Sequence, residues 1–157
     1  MKKIYICTLF ILMMNIICAQ DNDECLGFVS DGTCLRYTAS GYQNVINGNH
    51  SKAINESRKM ANISAECELS KMINSLVTRL AERLTKNDTY HAELIIDTTL
   101  VSSYKVFNGM KTICQSETKL INNAYVTYVT KEISLENIGD IFYFDDKTKE
   151  EFKKIME

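Results

Sequence analysis

The sequence predicts an α+β fold: a short strand, a long amphipathic helix, a second helix, and an antiparallel β-hairpin packed on the long helix, with a C-terminal helix. Three observations carry this. Leu69, Ile73, Leu76, Val77, Leu80 and Leu84 recur at helical spacings in a stretch without Gly or Pro, which marks a helix with one apolar stripe. Val126, Tyr128 and Thr130 alternate with Tyr125, Thr127 and Val129, the two-residue period of a strand. The 157 residues include no Pro at all, so helix breakers are few.

The elements follow in chain order. Cys34 to Gly41 has the Tyr and Thr of a short strand and ends on a glycine read as a turn. Asn47-Gly48-Asn49 marks a loop, with Asn49 or Ser51 placed to cap the long helix that follows. Along that helix, about 100° per residue puts Leu69, Leu76, Leu80 and Leu84 within roughly 60° of Ile73, whereas Cys67 lies about 120° away. The first half carries Ala53, Ser57, Ala61 and Ala65 at four-residue steps instead. A small-residue stripe followed by a leucine stripe implies two packing partners along one helix.

Beyond Lys86-Asn87-Asp88 the stretch Thr89 to Tyr104 is ambiguous, because its β-branched residues favour a strand while Ala92, Ile95, Ile96 and Thr99 also fit a helix. Phe107 to Thr118 and Ala124 to Ile133 read as the two hairpin strands, with Leu120 to Asn123 as the turn and Asn108-Gly109 as a bulge or bend. Ile141 to Phe144 is a short apolar segment. Asp145-Asp146 then opens a charged helix to Glu157, acidic where the macrodipole favours it.

The N-terminus predicts a destination. Lys2-Lys3, the apolar run Ile4 to Ile17 and the small residue Ala19 form a signal-peptide pattern over residues 1–19, too short for a membrane span. Residues 20–33 read as an acidic arm and 34–157 as one α+β domain. Without Lys2 and Lys3, 16 basic residues stand against 20 acidic ones, a formal charge of −4 with no long run of one sign. Nucleic acid is not an expected partner, since it calls for a basic patch.

Cys25, Cys34, Cys67 and Cys114 remain after the signal, enough for two disulfides in three connectivities. Cys25 and Cys34 are close enough in sequence for a local loop and form the candidate disulfide. No CxxC spacing suggests zinc, and His50 and His91 belong to no metal motif such as HExxH. No cofactor, metal or catalytic residue is expected. Asp21, Asp23, Glu24 and Asp31 miss the EF-hand pattern, and Glu66 and Glu68 point in different directions on their helix, so they make no acid/base pair. Tyr104, Met110, Tyr125 and Tyr128 are the candidate partner face, the remainder of a set that core packing mostly explains.

The chain resembles the small exported bacterial proteins of the Lpp-twenty lipoprotein family, whose dodecin-like core is a strand, a long helix and a β-hairpin. The matching features are the strand ending in Ser40-Gly41, the stripe Ala53, Ser57, Ala61 and Ala65 leading to Leu69, the stretch Asn108 to Cys114, and the strand Tyr125 to Val129. The resemblance covers about residues 34 to 150. It implies a helix for roughly Tyr90 to Tyr104 and a place in the bacterial periplasm, outer membrane or cell surface. It supplies no functional residue.

A lipobox ends in a small residue before its cysteine, and here Ile17 precedes Cys18. Cleavage between Ala19 and Gln20 is therefore expected; Cys18 is the candidate lipidation site and the sole route to a membrane. These readings together predict a non-enzymatic exported envelope protein with a structural or protein-interaction role, through self-association or an envelope partner. The alternative is a carrier holding a small ligand between helix and sheet.

Overall fold

The computed structural model describes Cys25, residues 33–85 and residues 103–156. The signal, Cys18, most of the acidic arm, His91 and most of the Tyr90–Tyr104 segment lie outside the described residues. The elements are β1 (Cys34–Asn44), α1 (His50–Thr85), α2 (Ser103–Gly109), β2 (Lys111–Gln115), β3 (Lys119–Ile121), β4 (Ala124–Ser134), α3 (Leu135–Ile141) and α4 (Asp146–Met156). The fold is α+β, with an antiparallel sheet in which β4 is central. β1 pairs along its whole length on one side of β4, and β2 and β3 pair in succession on the other.

Length explains why α1 needs two partners. Its 36 residues span about 54 Å, whereas an 11-residue strand such as β1 spans about 36 Å. The first half of the helix lies on the sheet and the second half overhangs it. Ala61 and Ala65 therefore meet Val129 and Ala39. Leu69, Ile73, Val77, Leu80 and Leu84 enter a larger core with Leu35, Val106, Ile133, Ile138, Phe142, Phe144 and Phe152. Cys67 is exposed, on the side away from that core.

The small-residue stripe permits a backbone-to-backbone crossing. Gly41 lies inside β1, opposite Thr127, and a Cβ there would stand 1.9 Å from the Ser57 carbonyl oxygen and 2.4 Å from the Ala61 nitrogen. It is a close-approach glycine, not the predicted turn, and β1 continues to Asn44. Ser57 is fully buried at this crossing, with its hydroxyl bonded to Thr127 Oγ1 at 3.0 Å.

Asn49 caps α1, its Oδ1 accepting from Lys52 N–H at 3.0 Å; Ser51 does not fill that role. Asn49→Ala is expected to cost about 1 kcal/mol, seen as a fall of a few degrees in the thermal midpoint. An unchanged midpoint would show that α1 starts without this cap.

The hairpin differs from its predicted limits. Phe107 to Gly109 belong to α2, and the irregularity in the first strand falls between Thr112 and Cys114, not at Asn108-Gly109. Leu120 and Ile121 pair with β4, so the turn shrinks to Asn122-Asn123. Both asparagines have positive φ, 49° and 63°, the backbone of a tight turn that suits hairpin twist and that Asn tolerates. Ser103 and Tyr104 lie in α2.

After β4, Ser134 Oγ accepts from Asn137 N–H and starts α3, a helix the sequence reading did not separate. Tyr143 at φ 56° lets both Phe142 and Phe144 turn inward. Asp145 Oδ1 then accepts from Thr148 N–H at 2.7 Å and caps α4.

The disulfide joins Cys25 to Cys114, 89 residues apart, which overturns the Cys25–Cys34 candidate. Even-numbered residues of β1 and β4 face away from α1, and Cys114 sits opposite Thr130 on that outer face. Cys25 is buried there, and its carbonyl accepts from Thr130 Oγ1. The bridge fixes the arm to the sheet, whereas a local Cys25–Cys34 loop would have tied it to the start of β1.

Candidate interaction surface

The two edges of the sheet are built differently. On the β2–β3 side, strands of five and three residues are separated by a break, β2 carries a register shift, and Lys111 and Lys119 supply charge. Short strands, bulges and lysines are the features that discourage strand addition. On the other side, β1 runs for 11 residues in unbroken register with β4. Arg36 is its one charged side chain, and that guanidinium is ion-paired with Glu132 on β4.

The backbone phase of β1 follows from its two ends. Val45 N–H donates to Asn123 O, and Thr33 O accepts from Leu135 N–H. Odd-numbered residues therefore turn their peptide groups to β4, and Thr38, Ser40, Tyr42 and Asn44 turn theirs outward. No strand among the described residues pairs with that side.

One flank of α1 overhangs this edge. Arg58 leans the other way, its Nε donating to Thr118 Oγ1 at 2.9 Å beside β3. Met60, about 160° round from Arg58, turns toward β1, followed at four-residue steps by Ser64, Glu68 and Met72. Met60 is 48% exposed and Met72 37%. Glu68 binds Lys71 at 2.6 Å, and that carboxylate, through hydrogen bond and charge, raises the Lys71 pKa above its ordinary value. Glu66 instead reaches the nearly buried Lys131 on β4 at 2.7 Å, so the two glutamates do point apart.

The far end of the sheet adds apolar surface. Tyr42, Ile46, Leu120 and Ile121 are all exposed around the hairpin tip. Beside them an open cleft of about 250 Å³ is lined by Gln43, Asn44, Ile46, Asn49, Lys52 and Glu56, among others. Elsewhere, the Gly41 crossing leaves no room for a ligand between helix and sheet at that point.

Of the residues predicted as a partner face, Met110, Tyr125 and Tyr128 do not share one. Tyr125 lies on the α1 side, 3.2 Å from His50 Nδ1 through its hydroxyl and edge-on to that ring. Tyr128 is on the outer face, and Met110 packs against the main core. Tyr104 falls within α2. What sequence reasoning missed was the edge, whose signal is the Pro-free, nearly uncharged run from Leu35 to Asn44. Reading Gly41 as a turn hid it.

Among the described residues, no group of three His, Cys, Asp or Glu side chains is placed to hold a metal ion. None of the helices there is long and apolar enough to cross a membrane. No family model and no curated protein matches the chain.

Proposed function

We propose that this is a non-enzymatic, exported protein of the bacterial cell envelope that acts by protein interaction, adding a partner strand to the outward edge of β1. The observation that carries the reading is the contrast between the two edges. A sheet that blunts one edge with a break, a register shift and lysines, yet presents 11 residues in unbroken register on the other, is arranged for β-augmentation on that side. Main-chain hydrogen bonds would supply affinity, and the Met60–Met72 flank would supply apolar contact.

Export rests on the signal-like N-terminus, and the Cys25–Cys114 bridge is compatible with an oxidising, exported environment. Placement in the bacterial envelope rests on the resemblance to the Lpp-twenty family. Any membrane attachment would run through a lipid on Cys18.

Photoreactive side chains placed at Ser40 and, separately, at Lys119 in the protein in its native compartment test the reading. Ser40 is expected to give a discrete protein adduct, whether to another envelope protein or to a second copy, and Lys119 none. Equal yields from the two positions, or no adduct from Ser40, would count against strand addition at β1.

A further inference from the structure

We infer that the partner at β1 is a second copy of this chain, paired antiparallel about a two-fold axis at Ala39. This rests on the strand-addition reading and goes beyond it by naming the occupant and the register.

The backbone phase allows that pairing. Ala39 is the midpoint of Cys34–Asn44, and its own peptide groups turn to β4. A two-fold axis there sets even-numbered residues, whose peptide groups point outward, against even-numbered residues of the other copy, so Thr38 meets Ser40 and Arg36 meets Tyr42. These are hydrogen-bonded pairs of an antiparallel ladder. An isologous contact of this kind closes on itself, so the two copies form a dimer and not a growing sheet. Each copy's other edge is the blunted one.

The side chains fit the same register. Arg36 is the one charge on the strand and would never face its own copy. It lies beside Tyr42, which is 53% exposed, where a guanidinium–aromatic contact forms. Thr38 and Ser40 place hydroxyls side by side on the outer face. These outer-face pairings leave β1 in place on β4.

Light scattering on the purified protein with its disulfide intact gives the first reading, with twice the chain mass expected at high micromolar concentration. Ser40→Pro removes an outward N–H and leaves the β4 ladder untouched, so it is expected to yield a folded monomer. Ser40→Lys, which keeps the backbone, checks the result should the proline variant misfold. The register is tested at Tyr42: Tyr42→Lys faces Arg36 with a like charge and Tyr42→Glu with an opposite one. The Lys variant is expected to dissociate about tenfold more readily than the Glu variant.

A dimer that Ser40→Pro and Ser40→Lys leave intact overturns the edge pairing, and equal behaviour of the two Tyr42 variants overturns the register. A monomer at all concentrations overturns self-pairing. In that case a Ser40 adduct to a different envelope protein leaves the strand-addition reading standing, and the absence of any adduct removes both.

Discussion

Gly41→Ala is expected to destabilise the protein by about 3 kcal/mol, a fall on the order of 10 °C in thermal midpoint for a domain of this size. The added methyl would meet the Ser57 carbonyl oxygen at 1.9 Å and the Ala61 nitrogen at 2.4 Å. Both are backbone atoms of α1, so no rotamer change relieves the contact and the helix must lift from the sheet. Lifting it opens the Ala61, Ala65 and Val129 cluster and parts Ser57 from Thr127. Gly48→Ala is the control. That glycine has φ 69° with nothing within 4 Å of a Cβ, so its replacement costs only about 1–2 kcal/mol of backbone strain. Comparable losses from the two substitutions would mean that α1 does not cross β1 at backbone contact.

Cys114→Ser is expected to have the larger effect, about 4.6 kcal/mol, on the chain-entropy account of a bridge closing a loop of 89 residues. Cys25 and Thr130 are both buried on the outer face, joined by the Thr130 hydroxyl and the Cys25 carbonyl. Loss of the covalent tie leaves that contact to weaker forces such as the Thr130 hydrogen bond, worth about 1 kcal/mol. Urea unfolding of the Cys114→Ser variant, followed beside Cys34→Ser and Cys67→Ser, separates the bridge from general effects of losing a thiol. A midpoint shift for Cys114→Ser no greater than for Cys67→Ser, which is exposed and outside the bridge, would show that the bridge contributes little.

The parts legible in the sequence were those with a local period. Leucines at three- and four-residue spacing defined α1 and its buried stripe. Alternation defined β4, and the position of Cys67 off the main seam followed from helix geometry alone. Asn49 was one of two candidate caps for α1, and the predicted turn Leu120 to Asn123 contained the asparagine pair that forms it, residues whose side chains bond nearby backbone and tolerate positive φ.

The parts that stayed hidden depend on distant residues. A glycine before a loop signals a turn by composition, and only the approach of Ser57 and Ala61 reveals that Gly41 clears space for a helix. Cysteine spacing offered Cys25 a near partner, but sheet pairing carries Cys114 to the face where Cys25 lies. Tyr125 and Tyr128 are three residues apart and so sit on opposite faces of a strand, which disperses the predicted aromatic face.

The sequence by itself determined a long two-part helix and the alternating strand that became β4, because each repeats at a period set by local backbone geometry. Only the tertiary structure decided that β1 lies along β4, which edge of the sheet is blunted, and which cysteines meet, because these depend on which distant segments are packed side by side.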